Sequence, residues 1–267
     1  MYCRPHGSYA IDDDAIQRIL DDASNPLARI ARTIQSGHGV LDIGCGNGIL
    51  SLLLKALHKD CLIDGIEPNA EAAELARNHY RRIYQQGLNE ARHHVSNTYD
   101  HIVLADVVEH TFDPVQTLRV AASFLKQDGR LWISVPNVAF APVRAELLNG
   151  RWQYTDWGII ERTHIRFFTL DSLVKTVRAS NLSVLQTSCL CRSPFLMDKR
   201  LQDYCIDIQT LLRLRADPLS FTYQFLLECA SESSQSQQDN DEAIAWVGLN
   251  QHIVREYIRL RRLAKRS

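Results

Sequence analysis

No C-x-x-C pair occurs in the 267 residues, and the seven cysteines (Cys3, Cys45, Cys61, Cys189, Cys191, Cys205 and Cys229) fall in no Cys/His grouping of zinc spacing. That argues against a structural zinc module, and the odd count fits reduced thiols better than a disulfide framework. No run approaches the roughly 20 apolar residues that a membrane helix requires. The start, MYCRPHGSYAIDDD, lacks a basic segment followed by an apolar stretch. The expectation is a cytoplasmic protein with no stable membrane insertion. An excess of one charge is missing too: 30 Lys and Arg stand against 31 Asp and Glu, a formal net charge of -1. This disfavours a general polyanion-binding surface and with it a nucleic-acid partner. No internal repeat divides the chain.

What is present suits a globular fold: 45% apolar and 23% charged residues are enough for one main domain with appendages. Apolar spacing between residues 11 and 35 predicts two short helices broken at Asn25-Pro26, and residues 1–36 read as an N-terminal helical segment. Short apolar runs at 40–43, 61–66, 82–85, 101–105 and 130–135 then alternate with helical stretches at 49–57, from Asn69 onward, and at 114–126, the last closed by Asp128-Gly129. A capped helix follows over 169–179, a strand near 182–186, a helix around 199–215 and a strand at 221–230. Strands alternating with helices predict βαβ crossovers: a doubly wound, Rossmann-like α/β domain over 37–230, its sheet mostly parallel and covered by helices on both faces. Residues 231–242 read as a polar linker, and 243–267 as a basic amphipathic helix covering its own domain or a dimer mate, so a homodimer stays open.

VLDIGCGNG couples a strand to a glycine turn and a helix start, and Glu67 ends the next strand about 20 residues on. The spacing G-x-G-x-G departs from the dinucleotide G-x-G-x-x-G, which disfavours a pyrophosphate turn. With YDHIVLADVVEHTFDP at 99–114, these features resemble the class I S-adenosylmethionine-dependent methyltransferases, in particular small-molecule enzymes of the ubiquinone-biosynthesis type. The resemblance covers roughly 40–230. It implies a seven-stranded sheet with an antiparallel last strand and S-adenosylmethionine as cofactor. It also implies that Asp42, Gly44, Cys45, Gly46 and Gly48 cradle the aminoacyl part, that Glu67 takes the ribose hydroxyls, and that Asp106 lies beside the methionine end. The family often carries an acid after the third strand to read adenine. Here the segment is YQQGLN, with Gly87 in place of the acid, so the adenine contact falls to Leu88 and its amide neighbours Gln86 and Asn89.

If the acceptor is a hydroxyl, a base must take its proton, and His110, just after the fourth strand, is the first candidate, with His164 the second. No set of carboxylates with metal spacing is evident near Asp106, so no metal is expected. The N-P-P-Y and Pro-Cys signatures of nucleic-acid methylation are absent. Residues 137–168, including NGRWQYTDWGIIERTHIRFF, form an insertion resembling that of methyltransferases in bacterial polysaccharide pathways. Its aromatic faces suit a sugar or ring, and Tyr154, Arg162 and Arg166 are the expected acceptor contacts, while Trp152 and Phe167 are expected to pack the insertion on the core. The reading is a methyltransferase acting on a small molecule. A non-catalytic cofactor-binding or scaffold protein, and less favourably a nicotinamide-dependent oxidoreductase, stay open.

Overall fold

Successive residues of a strand face opposite sides of a sheet, and the central strands of this protein are apolar on both. In the computed structural model Leu41, Ile102, Leu104, Leu131 and Ile133 pack on one face. Val40, Val103 and Trp132 pack on the other. Two cores therefore flank one sheet. The structure describes residues 12–95, 98–192, 208–214, 217–232 and 243–247.

Chain order runs through α1 (Asp13–Asp21), α2 (Pro26–Thr33), β1 (Gly39–Ile43), α3 (Ile49–Ala56), β2 (Leu62–Ile66), α4 (Ala70–Ala76) and β3 (Arg82–Tyr84). It continues with α5 (Leu88–Ala91), β4 (Tyr99–Ala105), α6 (Pro114–Ala122), β5 (Leu125–Pro136), α7 (Ala141–Leu148), α8 (Leu170–Ala179) and β6 (Leu182–Cys191). The last elements are α9 (Ile208–Leu214), β7 (Thr222–Ser231) and β8 (Ala243–Val247). Helix starts follow local chemistry. Asn25 and Asn69 accept from Ala28 N and Ala72 N at 3.0 Å each, Pro26 and Pro114 open their helices, and Thr169 with Ser172 forms a capping box.

The sheet order is β3-β2-β1-β4-β5-β7-β6-β8, with β7 antiparallel to both β5 and β6 and every other described pairing parallel. The seven expected strands are present with one reversed, which is the doubly wound arrangement. Two expectations change. Residues 243–247 are not the start of a helix but a strand parallel to β6, so the sheet has eight strands; the remainder of that tail, 248–267, lies outside the described residues, as do 233–242 of the linker, 1–11 of the N-terminal segment, and 199–207 and 215 of the late helix. Helix α6 also stops at Ala122, four residues short of the expected end. Leu125 already pairs with Tyr99, and the register jumps before His101 meets Arg130, so Asp128-Gly129 lies within an irregular stretch of β5. A Cβ on Gly129 would meet the Leu125 Cδ1 atom at 2.7 Å, so the close return of the chain requires glycine.

The parallel strands end together, so β1, β2 and β4 deliver their following turns to one edge of the sheet. At the opposite edge sits a buried polar chain. The Trp132 indole N–H donates to His101 Nδ1 at 3.2 Å, and His101 Nε2 lies 2.9 Å from His38 Nδ1. Because Nδ1 accepts, the proton of neutral His101 sits on Nε2 and is donated to His38. Burial, reinforced by His38, lowers the His101 pKa from 6.5 to about 4. A depressed histidine contributes stability that is complete above the unfolded value and is lost as pH falls towards the folded one. His101→Gln keeps hydrogen-bonding capacity without a titrating ring. It is expected to lose less stability than the parent between pH 6.5 and about 4, measured by urea denaturation at stepped pH.

Candidate active site

At the end of β1 the chain turns through three glycines with positive φ: Gly44 (71°), Gly46 (55°) and Gly48 (91°). Gly44 N and Cys45 N donate to Ile66 O at 2.7 and 3.3 Å, locking the turn to the end of β2. A Cβ on Gly44 would strike Val107 Cγ2 at 2.6 Å, so this turn abuts the segment after β4. Above Gly46 the opposite holds: a Cβ there would meet nothing within 4 Å, and the backbone faces open space.

Glu67 is buried at the end of β2, its Oε2 accepting from Gly46 N at 2.8 Å and its Oε1 from Asn69 N at 2.9 Å. Each carboxylate oxygen retains a second lone pair. Asp42 lies beneath, 3% exposed, and receives the Tyr80 hydroxyl at 2.6 Å. Burial raises the Asp42 pKa to about 7, opposed by the Tyr80 hydrogen bond and assisted by the Glu67 charge. The Cys45 thiol turns inward, packed so tightly on Gly65 that a Cβ there would meet Sγ at 2.7 Å, and burial pushes its pKa up. Cys45 can therefore offer only backbone to the turn. Leu88 opens α5 half-buried against the core, with Gln86 half-buried and Asn89 exposed beside it.

Asp106 follows β4 in a left-handed conformation, φ 56°, which costs a non-glycine residue about 1–2 kcal/mol. Its N–H donates to Ser134 O at 3.0 Å, and the Gln224 amide of β7 donates to its Oδ1. The chain then forms a single 3-10 turn, Val108–His110, on which the insertion docks. Ile165 N and Arg166 N both donate to Glu109 O at 3.0 and 2.9 Å, and the Arg166 guanidinium reaches Phe112 O at 2.6 Å. His110 Nδ1 lies 3.1 Å from Thr163 O, and His164 Nδ1 lies 2.9 Å from Ile159 O. The two rings meet edge-on with centroids 4.7 Å apart. Glu109 is 1% exposed, and neither of its carboxylate oxygens has a hydrogen-bond partner. Burial holds its pKa well above the usual carboxylate range, and the Asp106 and Glu161 charges add to this; burial lowers that of His164.

The insertion carries its own small core, in which Phe140, Val143, Ile159 and Ile160 gather Trp152, Trp157 and Phe167. That agrees with Trp152 and Phe167 as packing residues. Tyr154 stays half-exposed beside Trp152. Arg162 is exposed and pairs with Asp156 at 2.9 Å, while Arg166 is engaged with the Phe112 carbonyl, so the two expected anion contacts already have partners. The structure thus brings His110 and His164 together with Glu109. It keeps Arg162 on the surface.

These features can be set beside known proteins. A family model for the methyltransferase domain matches residues 15–187. The chain belongs to this methyltransferase family. A ubiquinone biosynthesis O-methyltransferase of Glaesserella parasuis serovar 5 is 37% identical over 111 residues, 38% of this chain and 46% of that protein. Another, from Xanthomonas axonopodis pv. citri, is 30% identical over 168 residues, 55% of this chain and 68% of that protein. The match to the first spans about half of that relative's length. Among solved structures, the magnesium protoporphyrin IX methyltransferase of Synechocystis PCC 6803 with bound SAH shares the fold at TM-score 0.54 and 16% identity, over 85% of this chain and 90% of that one. A plantazolicin methyltransferase in complex with a triazolic desmethylPZN analog and SAH does so at TM-score 0.54 and 14% identity, over 83% and 87%.

The methyltransferase's glycine turn fits an S-adenosylmethionine cofactor on its own geometry, with open space over Gly46 and a buried Glu67 that keeps lone pairs to offer. Glu109 is expected from the sequence, with Asp106, to have a site role rather than only to bond a loop or helix terminus, whereas two contributors were not anticipated: Gln224 and Tyr80. Glu109 stands next to His110 in the quoted DVVEH stretch, and Gln224 is the one amide inside the apolar run of β7, so both left a trace in the sequence. Tyr80 left none, because its reach to Asp42 spans 38 residues.

Asp42 yields a pH-dependent expectation. Folded Asp42 binds its proton more tightly than the unfolded chain, whose value is 3.8, so its contribution to stability is lost as pH rises through about 7. Tyr80→Phe removes the donor that eases the ionised form. The substitution is expected to cost about 1–3 kcal/mol near pH 8 and clearly less near pH 5. Urea denaturation at the two values measures the difference, and equal costs would contradict the assignment.

Proposed function

We propose that this protein transfers a methyl group from S-adenosylmethionine to a hydroxyl oxygen of a small, ring-bearing acceptor. The observation that carries this reading is the contact between the two halves of the site. Gly44 of the donor turn abuts Val107, one residue past Asp106 and two before the Glu109–His110 pair. The relatives named for O-methylation in ubiquinone biosynthesis support an oxygen acceptor.

Asp42 and the amides of Gly44, Cys45, Gly46 and Gly48 would hold the aminoacyl part of the cofactor, Glu67 the ribose hydroxyls, Leu88 the adenine edge and Asp106 the methionine end. The cofactor supplies a methyl group on a sulfonium, whose departure as a neutral thioether leaves the protein chiefly a positioning task. His110 acts on the acceptor. Its Nδ1 faces the Thr163 carbonyl, which only accepts, so the proton sits on Nδ1 and Nε2 presents the lone pair that takes the hydroxyl proton. His164, held by Ile159 O, sets the His110 ring from its edge. Tyr154 and the insertion's aromatic surface favour an acceptor with a flat face.

Calorimetry with S-adenosylhomocysteine is expected to show one site per chain, with Glu67→Gln binding about 10–100-fold more weakly as the charged acceptor is lost. No heat of binding at any accessible concentration would sink the reading. With an acceptor found by mass spectrometry of a metabolite extract incubated with labelled cofactor, His110→Gln is expected to lower kcat by about 10²–10⁴ while S-adenosylhomocysteine still binds.

A further inference from the structure

Ile43, Ile66 and Tyr84 pair in register across β1, β2 and β3, and Glu67 N donates to Tyr84 O at 3.0 Å, so the segments that follow these strands leave the sheet side by side. With β4 flanking β1 on its other side, one row carries in order the turn after β4, the glycine turn, Glu67 and residues 86–90. The last of these segments has a glycine that its backbone does not demand. Gly87 has φ -69° and ψ 162°, extended geometry open to any residue. What occupies the place of its side chain is Glu90: a Cβ on Gly87 would meet Glu90 Oε2 at 2.6 Å and Cδ at 3.7 Å.

An acid at this position of a helix ordinarily reaches back to the N–H of the residue before the helix. The Glu90 carboxylate makes no such bond, and it has no hydrogen-bond or ion-pair partner among the described residues. Glu90 is also exposed, so a ligand can reach it. An unpaired glutamate at the surface gains most by extending into water. This one lies over the backbone just past β3, at the end of the row that begins with the acceptor side.

The methyl-transfer reading places the acceptor after β4 and the ribose hydroxyls at Glu67. In S-adenosylmethionine the sulfur is carried on C5′ of the ribose and the base on C1′, at opposite ends of the ring. With sulfur towards β4, the base extends past Glu67 to residues 86–90. We propose that Glu90 accepts a hydrogen bond from the adenine 6-amino group, in the space left by the missing Gly87 side chain, and so selects adenine over a 6-oxo purine. This deepens the methyl-transfer reading and rests on it. A carboxylate only accepts, so it takes an amino group and repels a carbonyl. Gln86 and Asn89 lack that discrimination, because an amide can turn its NH2 to a carbonyl as readily as its oxygen to an amine.

The full chain is titrated calorimetrically with S-adenosylhomocysteine and with S-inosylhomocysteine, its 6-oxo counterpart. The parent is expected to bind the first at least about tenfold more tightly. Glu90→Ala should weaken S-adenosylhomocysteine but not S-inosylhomocysteine, narrowing the preference at least about fivefold. Gly87→Ala leaves the backbone unstrained and pushes the carboxylate aside, so it should narrow the preference similarly, and the double variant should narrow it no further. Thermal melts check folding; a role for Glu90 in the helix start alone would shift the melts and leave the preference intact. Should Glu90→Ala fail to fold, Glu90→Gln takes its place and is expected to lose the preference too. An undiminished preference in the folded Glu90 variant, or losses that add in the double variant, overturns the proposal while binding of S-adenosylhomocysteine keeps methyl transfer standing. A parent that binds neither compound overturns both.

Discussion

The Glu109 carbonyl accepts two amide hydrogens from the insertion, those of Ile165 and Arg166, and the arrangement of the acceptor side depends on that junction. A backbone oxygen can take two donors only when both approach along its lone pairs, so the insertion enters in one register. That register carries Thr163 O to His110, His164 to the edge of the same ring, and the Arg166 guanidinium to Phe112 O. The Glu109 side chain is itself buried. A segment that looks in isolation like a surface loop is thereby fastened to the turn after β4.

The donor side has an equally tight junction. Gly44 and Val107 touch where no Cβ on Gly44 would fit, so the first strand's turn and the fourth strand's turn are set at fixed distance. Asp106 is held in left-handed backbone by Ser134 O of β5 and Gln224 of β7. Strain of this kind persists where the surroundings over-determine it. The reversed strand therefore contributes directly to the site. Because β7 runs antiparallel, its early residues Gln224 and Tyr223 reach the same edge as the ends of β4 and β5, where a parallel strand would bring its last ones.

What was legible in the sequence was whatever repeats locally. Strand alternation, the caps at Asn25, Asn69 and Thr169, and the glycine turn all act within a few residues, and the two-faced sheet follows from them. Misreadings came where a local signal has two structural uses. Asp128-Gly129 can stop a helix or bulge a strand, and the pairing of Leu125 with Tyr99, 26 residues away, decides for the strand. Ala243–Val247 has apolar spacing that suits a helix, yet the open edge of β6 takes it as a strand. In the site, the glycines, Glu67 and His110 were readable by position after a strand. The meeting of Glu109, His110 and His164 was not, since it requires the return of the insertion. For Arg162 the sequence leaves two uses open, an acceptor contact or pairing with the neighbouring acids Asp156 and Glu161, and the structure shows the ion pair with Asp156.

Both halves bury carboxylates. Burial raises the pKa of Asp42, assisted by the Glu67 charge, and that of Glu109, assisted by the Asp106 and Glu161 charges. Such a concentration of carboxylates in low dielectric opposes folding unless protons or cations offset it. The donor turn meets this with the Tyr80 hydroxyl and the amides of Gly46 and Asn69. The acceptor side has no comparable donors for Glu109. A sulfonium and an ammonium would be complementary in sign to what the donor half lacks. Loss of the methyl group would remove one of those two positive charges and so weaken the hold on the spent cofactor. The same acidic lining that makes the empty fold costly would thus favour the loaded state over the spent one.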